Sequence, residues 1–353
     1  IAERIAALAE ADVVYVNDRD RFGREVRVAP LAVAGLLRDR VLKDRTTVFC
    51  SATLKIGGGF TGVAGSFGLR TDECLAEVTE DGTVTVPHGR ALDGGADLAV
   101  GLPGGAVVNE GAKEGEKEQK QDEPEEHPTL WRGIDVGSPF DYRRQGILYV
   151  ARTLPPPSRE GLTPEVLAEI AELTWAAGGR TLGLFASRRN AEAAARHVRA
   201  ELPSYQILCQ GDAQLSELTR RFAAEPETSL FGTLSLWQGI DVPGDTCRLV
   251  LIDKIPFPRP DDPLIRARQD AVVEAGGNGF MAVAASHAAL LLAQGSGRLI
   301  RRLSDKGMVA VLDPRLATAR YGSFLRAGLP DFWTTTDREV AVGSLRRLAE
   351  SAT

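Results

Sequence analysis

The sequence predicts an α/β fold, a largely parallel sheet with helices on both faces, and three observations carry that prediction. Short apolar, β-prone runs recur through residues 138–353. Stretches with helical spacing separate them, and glycine or proline marks many of the junctions. Strands alternating with helices of about 10–15 residues build βαβ units, and continuous apolar strands belong to a sheet buried on both sides.

The elements fall into three zones. Residues 1–54 open on an amphipathic helical pattern. Strands follow at 13–16 and 25–28, a helix at 31–42, and a buried strand at 47–50 that runs into Ser51-Ala52-Thr53-Leu54. Residues 55–137 form a glycine-rich connecting segment, and an acidic insertion at about 110–128 carries the run KEGEKEQKQDEPEEHP. That run has no apolar face and contains proline, so it is expected to be solvated and disordered.

Residues 138–353 carry the alternating pattern. A strand is expected at 147–150 and a helix at 163–177, with Thr163 as N-cap, Pro164 in the first turn and Gly178-Gly179 at the end. Strand 181–185, helix 189–201, strand 206–209, helix 214–224 and strands 229–232 and 248–253 come next. A long helical region at 282–304 precedes a strand at 308–312. No internal repeat is visible.

Composition narrows the class. The 353 residues are 43% hydrophobic and 25% charged, enough apolar material for a soluble core. Most of the net charge of −6 comes from Glu110 to His127, where eight acidic residues face three lysines. The remainder is nearly neutral, which neither favours nor excludes nucleic acid. Cys50, Cys74, Cys209 and Cys247 show no C-x-x-C spacing, so reduced, buried thiols are expected rather than a disulfide or metal framework. No apolar run reaches the ~18 residues of a membrane span, and a cytoplasmic protein is expected. The chain begins on Ile1 rather than Met and reads as part of a longer polypeptide.

In open α/β sheets, ligands gather where strands end at their carboxyl edges. Residues 294–301, Q-G-S-G-R-L-I-R, attract most interest. On a helix, Gln294, Arg298 and Arg301 stand at i, i+4 and i+7 and share a face. Two glycines there cost about 1 kcal/mol each relative to alanine, tolerable where a phosphate or a backbone must approach. Guanidinium groups fork onto phosphate oxygens. An ordinary solvated helix is the alternative.

Residues 232–244, GTLSLWQGIDVPG, follow a strand as a glycine-bearing loop that offers backbone N–H groups to a phosphate and a carboxylate at Asp241 to a ribose hydroxyl or an arginine. A packed loop with Asp241 capping a turn is the competing reading. Ser51 and Thr53 could relay hydrogen bonds to a nucleotide or close a turn. Ser187 and Arg188 could hold a phosphate or start the next helix. The rigid segment I-P-F-P-R-P-D-D-P at 255–263 could carry Lys254 and Arg259 along a nucleic-acid backbone or only connect two elements. The D-E-P-E-E-H run at 122–127 follows no apolar strand and is rejected as an ATPase acidic box. The four histidines give no hydrolase triad.

In this order, the segments resemble the DinG-type, XPD-like branch of the superfamily-two helicases across essentially the whole chain. Ser51-Ala52-Thr53-Leu54 is similar to motif III, 184–187 to motif IV, 232–244 to motif V and 294–301 to motif VI. I-P-F with D-D-P-L, and W-Q-G-I-D-V-P-G, resemble two further family segments. The resemblance implies RecA-like motor domains, with residues 1–54 a remnant of the first, 55–137 the connection and 138–353 the second. It implies ATP with Mg²⁺, held mainly by an N-terminal half, and movement 5′ to 3′ on single-stranded or forked DNA. Arg298, Arg301 and Gln294 would act at the γ-phosphate. Asp241, Gly239, Ser51 and Thr53 would serve ATP, and Ser187, Arg188, Thr233 and Lys254 would hold DNA.

The chain contains neither a G-x-x-x-x-G-K-[ST] loop nor an acidic box after a strand. The 353 residues alone are therefore expected to lack ATPase and unwinding activity. Whether the full protein holds an iron–sulfur cluster is left open. A nucleic-acid-binding or regulatory module that keeps the fold without catalysis is the alternative function.

Overall fold

The computed structural model describes residues 4, 11–19, 23–85, 128–225, 227–233, 236 and 246–351. The predicted acidic insertion, most of the opening helix, and Gly239 and Asp241 lie outside these residues.

The chain first forms an antiparallel hairpin, β1 (Asp12–Arg19) and β2 (Gly23–Pro30). A short helix, Ala34–Leu37, continues as a π-helical turn, Arg38–Leu42. A three-stranded sheet follows, made of β3 (Cys74–Val78), β4 (Val84–Thr85) and β5 (Trp131–Ile134) in the order β4-β3-β5. Sequence reasoning had given that zone only glycine-rich connection.

Glu73 fastens this small sheet. It is 4% exposed and pairs with the Arg38 guanidinium. It also accepts the Arg70 and Thr129 backbone N–H groups, each at 3.1 Å. These hydrogen bonds to Arg38 and the backbone hold its carboxyl down at about 2.

The predicted buried strand at 47–50 does not form. No ladder pairs with it among the described residues, and Val48 is 79% exposed. A parallel strand has no hydrogen bonds of its own, so without neighbours an apolar run remains irregular. Phe49 stacks instead on Phe67, ring centroids 4.2 Å apart.

The main body is a seven-stranded sheet of β6 (Gly146–Val150), β7 (Thr181–Phe185), β8 (Gln206–Cys209), β9 (Thr228–Thr233), β10 (Leu249–Ile252), β11 (Gly307–Val311) and β12 (Trp333–Thr335). Its order is β12-β6-β11-β10-β7-β9-β8, and every pairing is parallel. The longer helices among the described residues are α1 (Pro164–Ala176), α2 (Arg188–Glu201), α3 (Leu215–Ala224), α4 (Pro263–Glu274), α5 (Ser286–Ser296) and α6 (Arg338–Glu350).

Alternate residues of each strand feed two cores. Val250, Ile252, Val309 and Val311 pack with α5 and α3 through Ala288, Leu292, Leu218 and Phe222. Leu249, Leu251, Met308 and Ala310 meet α1, α2 and α6 through Ile170, Leu173, Val198 and Leu345. Full burial of each such side chain stabilises by about 1.5–3 kcal/mol. The predicted sheet with helices on both faces is therefore present.

Local signals place several boundaries. Thr163 Oγ1 accepts the Val166 N–H at the start of α1, and Pro164 occupies its first turn. The helix ends where Gly178 and Gly179 adopt φ of +66° and +84°; a Cβ on Gly179 would strike the Glu227 backbone. The long helix expected at 282–304 is divided. A π-helical turn, Phe280–Ala285, enters α5, and α5 stops at Ser296.

Candidate functional site

The carboxyl edge of the seven-stranded sheet collects most of the predicted nucleic-acid contacts. Ser187 and Arg188 follow β7, Thr233 ends β9, and Lys254 stands two residues beyond β10. The three strands are adjacent in the order β10-β7-β9. Ser187 Oγ accepts the Asn190 N–H at 3.2 Å, so its local role is the N-cap of α2. Arg188 pairs with Glu192 at 2.8 Å, and its guanidinium lies against Gly211, where a Cβ would collide with it. Thr233 donates from both N and Oγ1 to Gln210 Oε1, at 2.8 and 2.9 Å. Thr233, expected as a DNA contact, is thus held locally by Gln210.

Two buried carboxylates organise this edge, and sequence reasoning missed both. Asp253, 4% exposed, accepts the Ala186 N–H and the Asn190 amide, each at 2.9 Å. It ties the loop after β7 to the end of β10. Asp313, fully buried, accepts the Ile255 N–H at 3.0 Å and a two-pronged contact from Arg315 at 2.9 and 2.7 Å. It ties the proline turn to the end of β11. The signal was present in L-V-L-I-D and V-A-V-L-D, an acidic residue directly after a buried strand.

Burial raises the Asp253 carboxyl to about 6, against the lowering pull of Asn190 and the backbone donors. A raised folded-state value means that protonation favours the fold. This contribution is complete below about 4, the unfolded value, and is lost as pH rises through about 6. Asp253→Asn should therefore gain stability over wild type at pH 8 and lose that advantage at pH 5. Urea melts at the two pH values check this; an equal difference at both contradicts it.

The predicted arginines lie at the other edge of the sheet. After α5, the Arg298 and Leu299 N–H groups bond to the carbonyls of Gly295 and Ser296, three residues back. The helix tightens and stops. Leu299 and Ile300 are buried at 2% and 3%, and Leu299 packs on Gly307, the first residue of β11. Asp305 accepts the Arg301 and Arg302 N–H groups at 2.8 Å each. Gln145 donates to the carbonyls of Arg302, Leu303 and Asp305 at 3.0–3.2 Å.

Gln294, Arg298 and Arg301 therefore do not share a helix face, contrary to the sequence expectation. Gln294 is in α5, and both arginines are in the following loop, partly buried. The physical reason is Asp305, which captures the N–H groups that a longer helix would have used. Ser51 and Thr53 form a local turn, with the Thr53 N–H donating to Ser51 Oγ at 3.2 Å.

Comparison with known proteins follows this geometry. Residues 170–332 match the helicase C-terminal domain family. Over 345 residues, 97% of the chain, the sequence is 51% identical to the ATP-dependent helicase DinG of Mycobacterium tuberculosis. The chain carries a helicase C-terminal domain of the DinG type. It spans 43% of that relative. The ATP-dependent DNA helicase YoaA of Escherichia coli is 38% identical over 58% of this chain and 32% of its own length. A protein named 3′-5′ exonuclease DinG, from Bacillus subtilis, is 38% identical over 35% of this chain and 14% of its own length.

The four cysteines are dispersed through the chain, and Cys50 departs from the expected burial. Cys74 is in β3, Cys209 in β8 and Cys247 before β10, all buried, while Cys50 is exposed. Burial raises the three inner thiols, Cys247 to about 12. Among the described residues, no helix is long and apolar enough to cross a membrane.

Proposed function

We propose that this chain is the C-terminal motor half of an ATP-dependent DNA helicase that moves 5′ to 3′. The observation that carries the reading is the 51% identity, over nearly the whole chain, to a protein named ATP-dependent helicase DinG. Arg188, Thr233 and Lys254 at the carboxyl edge would hold a single strand through its phosphates. Arg298 and Arg301, with Gln294 and the motif V residues Gly239 and Asp241, would face a nucleotide held by an N-terminal half. Ser51 and Thr53 would couple the two ligands.

ATP hydrolysis transfers a phosphoryl group to water, and permanently charged arginines stabilise the charge that develops on it. Among the described residues no group of three His, Cys, Asp or Glu side chains could hold a metal ion. Mg²⁺ would come with the nucleotide and neutralise its phosphates, and this chain's part is the arginine contact. Buried Leu299 and Ile300, with the Asp305 bonds to Arg301 and Arg302, fix the loop that presents the guanidinium groups.

Two measurements on the 353-residue chain test the reading. It should bind oligothymidine with strong salt dependence and show no DNA-stimulated ATPase. Arg188→Ala combined with Lys254→Ala should lower the slope of log K against log salt by about 1.4, or ~0.7 per lost contact on a single strand. An unchanged slope would remove these residues from the DNA path, and ATPase turnover by this chain would defeat the assignment of hydrolysis to two halves. The exonuclease relative supports a second reading, in which the domain guides DNA for another activity. Nuclease activity of the full-length protein without ATP would favour it.

A further inference from the structure

Far from the carboxyl-edge residues, and next to the loop that follows Arg301, a cleft of about 280 Å³ opens at the amino edge of the sheet, between the starts of β6 and β11 and helix α6. Its apolar floor comes from Ile147, Met308, Leu345 and Leu348. Its rim carries Arg143, Arg144 and Lys306, all exposed. Trp333, 50% exposed on strand β12, closes one side. Among the described residues, no acidic side chain lines it. Arg143 is joined to the exposed Asp331 at 2.9 Å.

The wall beneath Lys306 is fixed. Gln145, 8% exposed, bonds to three carbonyls of the loop at 302–305, so the rim is held where it is before any ligand arrives. A preformed apolar hollow ringed by one sign of charge selects a ligand with an apolar anchor and the opposite charge.

We propose that this cleft docks an acidic peptide segment of a partner protein. A large apolar side chain of the peptide seats on the aliphatic floor, and neighbouring carboxylates meet Arg144 and Lys306. Charge complementarity selects an anion, and the floor selects between anions. Single-stranded nucleic acid is gripped by a continuous cationic track with successive exposed rings for its bases. This hollow is compact and aliphatic, with Trp333 alone at its side. The site shares no residue with the proposed DNA and nucleotide contacts, and it stands independently of them.

The test is fluorescence anisotropy on the 353-residue chain with a labelled aspartate-rich peptide that carries one phenylalanine. Saturable binding in the micromolar range is expected. Arg144→Glu with Lys306→Glu should weaken it by about tenfold or more through lost rim charge. Replacing the peptide's phenylalanine by alanine should weaken it similarly, because the anchor's burial is lost. Both substitutions are on exposed side chains, and thermal melts establish that the variant folds. The alanine peptide tests the site on unaltered protein. No saturation at millimolar peptide, or equal binding by the charge-reversed variant, overturns the proposal. So does oligothymidine that displaces the peptide and itself loses binding in that variant, an outcome that would give the cleft to nucleic acid.

Discussion

In the full-length protein, Arg298→Ala should lower DNA-stimulated kcat for ATP by about 10³-fold or more, the range over which arginine fingers act. The change should fall on kcat rather than on DNA affinity. Arg298 lies in the loop that leads into β11, whereas the proposed strand contacts follow β7, β9 and β10 at the opposite edge. Arg298→Lys should recover little, because an ammonium cannot reproduce a planar two-pronged contact. Stopped-flow phosphate release, with DNA affinity measured on the same variants, separates these effects. Wild-type turnover in Arg298→Ala would end the finger assignment. A parallel loss of DNA affinity would recast the residue as part of the fold.

Asp313→Ala should destabilise the domain by about 1–3 kcal/mol, because the buried Ile255 N–H loses its acceptor while Arg315, 36% exposed, regains water. The Ile255 N–H loses its acceptor, and Arg315 loses both prongs. In a domain of this size that is a drop of about 2–12 °C in Tm. Asp313→Asn keeps an acceptor for Ile255 and should cost clearly less. The damage should extend to function, since Ile255 begins the rigid turn that follows Lys254. Weaker DNA binding at temperatures where the variant is folded would show this. Unchanged melting of Asp313→Ala would mean that Arg315 and the turn are held by other contacts.

The two substitutions depend on different kinds of information. Arg298 was legible in the sequence, because spacing within Q-G-S-G-R-L-I-R and the order of the other motifs drew attention to it. Its setting was not. Helical periodicity ran on past Ser296, and only the folded chain shows Asp305 turning back to hold the Arg301 and Arg302 N–H groups. Asp313 and Asp253 were overlooked because a carboxylate after an apolar strand has no evident partner in one dimension. Their partners stand 58 and 67 residues away, at Ile255 and Ala186.

Six of the seven strands in residues 138–353 were legible along the chain, whereas β12 (Trp333–Thr335) and the helices α4 and α6 were not expected. Continuous apolar runs must be buried on both faces, and the threonine, proline and glycine signals at the ends of α1 act locally. The sequence also determined the set of charged residues available for phosphate. The tertiary structure decided strand order, and with it that Ser187, Arg188, Thr233 and Lys254 share one edge while Arg298 and Arg301 lie at the other. It denied the apolar run at 47–50 a place as a strand, since pairing is a property of neighbours. It also made the cationic cleft from residues spread between Arg143 and Leu348. Hydrophobic period and capping are short-range and can be read along the chain, whereas ladders, buried carboxylates and clefts exist only between segments that folding brings together.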